Sequence, residues 1–305
     1  LEASGNLDKA IRILAELRGE HYDSLSDELR IGSAMALSRC YRDLGQYDLA
    51  IQIAEEEVAA MVGKGWTDHL MELASTLLSS YYGRGDLMRA EQYAAQLLAT
   101  AETLGTPRAI IAANWNAALL AQMTGKGEEA LARMERAWAE RPNYGDVRNR
   151  ARLLVAYAAL RLEVRPGEAA ECRDLLLLGE RELRESSAGS LDLADCFHLL
   201  AVAEIELGNA AEALRYAFKA LEVNGGTSTE LTASIQVRIG QAHLMLNQKD
   251  KATESIRLAM DVLINEPRTK STAETWFQAA AVLQELGDFE GSRAAYQHAM
   301  ECSGV

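Results

Sequence analysis

A six-residue turn signature, Gly-x-x-x-x-Ala, returns down this chain about every 40 residues, and that rhythm constrains the fold more than any single residue does. It reads Gly5-Asn6-Leu7-Asp8-Lys9-Ala10, then Gly45 to Ala50, Gly85 to Ala90 and Gly125 to Ala130. Looser copies run from Arg165 to Ala170, Gly208 to Ala213, Asn247 to Ala252 and Gly287 to Ser292. Their starts are spaced by 40, 40, 40, 40, 43, 39 and 40 residues. A fixed period between about 20 and 50 residues marks a solenoid, whose units bury their apolar faces only against one another. Such arrays bind along a face and rarely carry out chemistry.

Composition agrees with helix throughout. Only four prolines occur in 305 residues, and 49% of the chain is hydrophobic. The longest apolar run, Leu153 to Leu160, is far shorter than the roughly 18 residues a membrane helix needs. Cys40, Cys172, Cys196 and Cys302 form no CxxC, and no histidine stands at ligand spacing from them, so idle thiols in a reducing compartment are expected. With no secretory signal, the reading expects a cytoplasmic protein. A net charge of −14 and a pI near 4.9 argue against this chain gripping nucleic acid itself.

Within one unit, Ile31, Met35, Leu37, Tyr41 and Leu44 make one helical stripe that Gly45 ends. Leu49, Ile51, Ile53, Ala54 and Val58 mark the helix that follows. The small residue closing each signature is predicted to sit where two helices cross closely. Those positions are Ala10, Ala50, Ala90, Ala130, Ala170, Ala213, Ala252 and Ser292. The expected fold is an all-α, right-handed solenoid of about seven and a half helix pairs, read as one domain over 1–305. Leu1 to Ser4 read as the tail of a helix whose partner is missing, so a longer parent protein is expected.

The Gly-Gln-Tyr-Asp-Leu-Ala run at 45–50, Gly-Asp-Phe-Glu-Gly-Ser at 287–292, Leu37, Tyr41 and Pro142 resemble the tetratricopeptide repeat, with a unit of 40 residues in place of 34. The segment Asn114 to Leu120, its turn at Gly125 and the stretch Arg148 to Tyr157 also look like the C-terminal array of actinobacterial Xre-type helix-turn-helix regulators. That resemblance implies a sensor and dimerisation module, with DNA contacted only through a domain upstream of this sequence. The architecture is similar, too, to quorum-sensing regulators whose arrays bind short secreted peptides.

In the tetratricopeptide family the first helix of each pair lines the ligand face. Carried over, this places Arg39, Arg42, Ser75, Thr76, Ser79, Tyr82, Trp115, Asn116, Gln122, Arg152, Asp195, His198, Arg238, Gln241, Glu274, Phe277, Gln278 and Gln284 on that face. Amides pair with an extended backbone, and guanidinium groups grip carboxylates, so the set suits a short peptide. Taken alone, Trp115 reads as core between repeats ahead of a ligand platform, and His198 as a packed or solvated histidine ahead of a catalyst. The acidic runs Glu55-Glu56-Glu57 and Glu128-Glu129 read as solvated helix faces. No P-loop, nucleophile elbow, HExxH or dinucleotide fingerprint occurs, so neither enzyme, cofactor nor metal is expected. The leading expectation is a peptide-sensing, homodimeric domain of a transcription regulator. A constitutive scaffold for protein partners is the alternative.

Overall fold

The structure, a computed structural model, describes residues 7–186 and 188–303. Gly5 and the run Leu1 to Ser4 lie outside the described residues. Among the described residues the chain is all helical, with fifteen α-helices and no strand. It groups into two compact units that meet in sequence between Gly145 and Asp146.

The first unit opens with one unpaired helix, α1 (Leu7–Glu20), and continues as three pairs: α2 (Asp27–Asp43) with α3 (Tyr47–Val62), α4 (Asp68–Arg84) with α5 (Leu87–Leu104), and α6 (Pro107–Met123) with α7 (Gly127–Ala139). The second unit holds four pairs: α8 (Val147–Val164) with α9 (Ala169–Glu185), α10 (Ser190–Glu206) with α11 (Ala210–Asn224), α12 (Thr229–Met245) with α13 (Lys249–Leu263), and α14 (Lys270–Leu286) with α15 (Phe289–Ser303). The first helix of each pair also packs on the first helix of the next pair within its unit. This is the α-solenoid architecture that the period predicts, seven pairs and a half.

The two kinds of helix start differently. The first helix of a pair follows a longer connection, and in six of the seven a side chain caps it: Ser26, Thr67, Thr106, Asp146, Ser228 and Thr269 each accept from a backbone N–H of the opening turn, while α10 starts at Gly189 without such a cap. Among second helices Asp86 does the same for α5 and Asp288 for α15. The second helix is entered straight from a tight turn whose pivot needs positive φ. Gly45 (φ 72°) and Gly85 (φ 88°) supply it, and Asn247 (φ 57°) serves in the copy that lacks glycine.

The predicted crossing residues Ala50, Ala90, Ala130, Ala213 and Ala252 are fully enclosed, with Ala10 and Ser292 nearly so. Ser38 fastens one crossing by donating to the Ala50 carbonyl at 2.9 Å. Ala170 is a correction: it is exposed, and Ala169 is the buried alanine. The turn before it has no glycine. A short 3₁₀ turn at Pro166–Glu168 replaces the usual pivot, so the pair resumes one residue earlier.

Glu57 is a second correction. It is not part of a solvated face but is 1% exposed on α3. Arg18 of α1 pairs with it at 2.8 Å, and the Tyr22 hydroxyl donates to it at 3.3 and 3.4 Å. Arg18 also donates to the Arg30 carbonyl at 2.9 Å and to Ser33 Oγ at 3.2 Å. The Arg30 guanidinium lies over the Tyr22 ring. This cluster ties α1, the helix with no partner of its own, to α2 and α3. Glu55 also departs from that expectation: it is half-buried and accepts from the Tyr81 hydroxyl at 2.5 Å, whereas Glu56, Glu128 and Glu129 are exposed as expected.

A ladder of ion pairs joins successive repeats of the first unit. It comprises Asp48 with Arg84 (2.8 Å), Glu55 with Arg89 (3.2 Å), Glu72 with Arg108 (2.8 Å), Glu91 with Lys126 (2.7 Å) and Glu102 with Arg136 (3.4 Å). Partly exposed pairs of this kind contribute about 0–1 kcal/mol each. Cys40, Cys172 and Cys196 are buried, and burial pushes the Cys172 and Cys196 thiols up.

Candidate functional site

In the first unit the predicted ligand-face residues converge on α2, α4 and α6. Arg42 sits in the last turn of α2, and its Nη1 donates to Ser79 Oγ of α4 at 3.0 Å. Its Nε and Nη2 hold Asp43 at 3.1 and 2.9 Å. One turn on, the Tyr82 hydroxyl reaches Asn116 Oδ1 of α6 at 3.5 Å, a long and weak contact. Asn116 Nδ2 donates to the Ala112 carbonyl at 2.9 Å. Enclosure pushes the Tyr82 phenol up to about 12; Tyr47 adds to this, and the Arg42 charge opposes it. Arg42, Ser79, Tyr82 and Asn116 therefore form one polar row across three helices.

The other predicted positions of this unit divide. Arg39, Trp115 and Gln122 are half-buried on α2 and α6. Ser75, Thr76 and Ser79 are buried between helices and do not line an open face. Thr76 donates to the Glu72 carbonyl and Ser79 to the Thr76 carbonyl, the back-bonding open to hydroxyls in helices. Ser75 Oγ has no partner.

In the second unit, Arg152 of α8 is exposed and holds Asp192 of α10 at 2.7 Å. Arg148, one turn earlier, reaches the other oxygen of Asp192 at 3.1 Å. One carboxylate thus faces two guanidinium groups. Arg148 and Asp192 were not among the predicted positions. Their signal was present: an i, i+4 arginine pair with an acid one period downstream, the separation at which repeats meet.

His198 and Arg238 occupy the next two ligand-face helices, α10 and α12. The His198 side chain is 12% exposed, and neither ring nitrogen has a hydrogen-bond partner. Its Nδ1 stands 4.0 Å from Asp195, too far for a hydrogen bond. Burial holds the imidazole below its ordinary value; the Arg238 charge adds to this, and Asp195 opposes it. Arg238 Nη1 donates to Gln241 Oε1 at 2.9 Å, and its Nε has no partner. Burial pulls the Arg238 guanidinium down to about 10, with Glu206 acting in the opposite sense. Gln278 is half-buried on α14, whereas Glu274, Phe277 and Gln284 are exposed there. The Phe277 ring lies 5.8 Å from that of Tyr296.

Two recesses in the first unit lie away from these faces. One, of about 450 Å³, is lined by Trp66, Ala99, Thr100, Thr103 and Leu104. The other, of about 220 Å³, lies over α5, α6 and α7 with Glu91, Lys126, Glu129 and Arg133 among its lining residues. Neither includes a predicted ligand-face residue. Among the described residues no three or more His, Cys, Asp or Glu side chains gather as a metal site. No helix there is long and apolar enough to cross a membrane.

Comparison with known proteins places this geometry in a fold. The tetratricopeptide repeat profile matches residues 273–302, the segment of α14 and α15. No curated protein matches the sequence. Among solved structures, the apo form of RapI is similar over 90% of this chain and 97% of its own, at 14% identity and a TM-score of 0.70. A Rap protein complexed with competence and sporulation factor is similar over 91% of this chain and 76% of its own, at 12% identity and a TM-score of 0.70. NprR in complex with its cognate peptide NprX is similar over 98% of this chain and 78% of its own, at 14% identity and a TM-score of 0.64. At such identities the likeness is one of fold. The chain is an α-solenoid, and it carries a tetratricopeptide repeat at residues 273–302.

Proposed function

We propose that this chain is a non-catalytic, peptide-binding array that senses a short peptide on the first helices of its pairs. The observation that carries the reading is where unmet hydrogen-bonding capacity lies. Ser75 Oγ on α4, Arg148 Nε on α8, both His198 nitrogens on α10 and Arg238 Nε on α12 are buried without partners. All four residues stand on first helices, and the second unit places three of them on three successive ones, whereas the buried Tyr93 hydroxyl, also without a partner, stands on the second helix α5. A buried polar atom left unpaired costs about 1–3 kcal/mol, so a ligand that pairs it recovers that cost. An extended peptide presents alternating N–H and C=O groups, which suits Asn116, Gln241 and Gln278 as well as the cations. The similar NprR structure holds its cognate peptide.

On this reading the chain works as the sensor of a homodimeric, cytoplasmic transcription regulator whose DNA-binding domain lies outside this sequence. The resemblance to Xre-type regulators supports that part. A peptide bridging several first helices acts through its differential affinity for two arrangements of the stack.

The test is hydrogen–deuterium exchange on the full chain, with and without a mixture of random-sequence synthetic hexapeptides. Protection is expected in α4, α6, α10 and α12, and Asn116→Ala combined with Arg152→Ala should reduce it without loss of helix content. Protection confined to α5, α7, α11 and α13, or none at saturating peptide, refutes the reading.

A further inference from the structure

We propose that the recess of about 220 Å³ over α5, α6 and α7 receives one aromatic side chain of a partner protein. No ligand-face residue lines it, so this site stands or falls separately from the peptide-binding reading above.

The repeats supply their own reference for this place. Six of the seven pairs turn with the same backbone bond, which runs from the residue after the pivot back to the end of the first helix. Gln46 donates to the Tyr41 carbonyl, Asp86 to Tyr81, Lys126 to Ala121, Asn209 to Glu204, Gln248 to His243 and Asp288 to Leu283, all within 3.0 Å. The six accepting residues are therefore structural equivalents. Tyr41, Tyr81, Glu204, His243 and Leu283 carry large side chains, and all but Tyr41 are buried. Ala121 is the small one, and the recess opens beside it. Ala117, which also lines the recess, stands one period after Leu77. Backbone packing does not close over side chains that are missing from a stack, so space remains.

One period earlier the chain fills this place itself. The Tyr81 ring meets the Tyr93 ring edge to face at 5.6 Å, and the Arg89 guanidinium lies over it at 4.9 Å. The Tyr81 hydroxyl donates to Glu55. The residues one period after Tyr93, Arg89 and Glu55 are Arg133, Glu129 and Ala95, and all three line the recess. A cation and a carboxylate thus flank the site again. Among the described residues, neither Arg133 nor Glu129 makes a hydrogen bond or an ion pair. The guanidinium suits the negative face of an aromatic ring, and Glu129 adds an acceptor that a tyrosine hydroxyl can use. The floor, with Leu98, Ala117, Leu120 and Ala121, is apolar. Size narrows the occupant further. Small-molecule pockets span about 300–1,000 Å³, whereas an apolar hole of about 150 Å³ already holds benzene. At about 220 Å³ this recess takes a single ring, as the preceding copy takes Tyr81 from a polypeptide.

The experiment follows the methyl resonances of Leu98, Leu120 and Ala121 in the whole chain by NMR. The probes are N-acetyl-tyrosinamide, N-acetyl-cyclohexylalaninamide, whose ring is saturated, and free p-cresol. The tyrosine compound is expected to move these methyls by its ring current and to bind about threefold or more tighter than the saturated one. Arg133→Gln should bring the two to parity. Ala121→Tyr, which installs the ring that the preceding repeat carries, should abolish binding of both. Equal binding to the unaltered chain shows an apolar hole without aromatic preference and overturns the proposal. Binding that survives Ala121→Tyr places the site elsewhere and also overturns it. Shifts with p-cresol but not with N-acetyl-tyrosinamide would assign the recess to a free small aromatic in place of a side chain, and silence from all three probes would end the idea. Should Ala121→Tyr not fold, Ala117→Leu, which copies Leu77, blocks the same floor and takes its place in the test.

Discussion

Replacing Arg18 by methionine should loosen the front of the first unit by about 3 kcal/mol. Methionine keeps much of the arginine stem but removes the charge and every donor. Glu57, whose side chain is 0% exposed, would then keep only the Tyr22 hydroxyl, at 3.3 and 3.4 Å. The Arg30 carbonyl and Ser33 Oγ would lose a donor as well. Breaking a buried pair from one side costs about 3–5 kcal/mol, because the remaining charge is stranded. The lower end applies because the Arg18 side chain is 14% exposed, so water reaches part of the vacated site. Stacked repeats do not unfold in one step, so a global melt would blur the effect. Native-state hydrogen exchange resolves it: amides of α1 to α3 should exchange about 150-fold faster, while those of α12 to α15 stay unchanged. Removing both charges, as Arg18→Met with Glu57→Leu, should recover more than half of the loss. A rise below about fivefold, or a double variant worse than the single one, would refute this account of how α1 is held.

Gly240→Ala places a Cβ 2.7 Å from Ile256 Cδ1 and should cost about 1–3 kcal/mol in thermal denaturation. Adding Ile256→Val, which deletes that Cδ1, should restore most of it, and no rescue would discount the contact. Tyr93→Phe removes a buried hydroxyl with no partner and should be neutral or stabilising by up to about 1 kcal/mol; a clear loss in the same assay contradicts this. His198 is held below its ordinary value of 6.5, so the unfolded chain takes up a proton more readily as acidity rises. Its contribution to stability is complete above about pH 6.5 and declines below it, until the folded imidazole protonates too. His198→Gln should flatten that decline in a series of thermal midpoints, and parallel curves for the two proteins would exclude it.

Much of the architecture was legible because backbone geometry demands particular residues at the turns. Positive φ at Gly45 and Gly85 cannot be hidden in a sequence, and Asn247 shows the second-best choice at the same task. The turn after Arg165 escaped because proline and a 3₁₀ turn meet the same need by another route, and the register moved to Ala169. Glu57 was misread for a different reason. Three consecutive glutamates suggest solvent, yet helical phase aligns Ala50, Ala54, Glu57 and Met61 on one buried stripe. The partner that makes burial tolerable, Arg18, lies 39 residues away, and composition holds no trace of such a pairing. The ligand face was legible as a set of helices more than as a set of contacts. Arg42, Ser79, Tyr82 and Asn116 do meet, but three hydroxyl residues of α4 proved to be packing. The unmet nitrogens of His198 and Arg238 depend on what is absent around them, and no local pattern encodes an absence.

The ion-pair ladder of the first unit has a direction. From the first pair onward the acid belongs to the earlier repeat and the base to the later one: Asp48 to Arg84, Glu72 to Arg108, Glu91 to Lys126 and Glu102 to Arg136; only Arg18 to Glu57, at the front of the unit, runs the other way among these pairs. An in-frame copy of one period inserted here would meet complementary charges at both of its new seams. Gene duplication could therefore lengthen this stretch without first inventing fresh surfaces, whereas a module spliced in from a protein of opposite polarity would set like charges against each other.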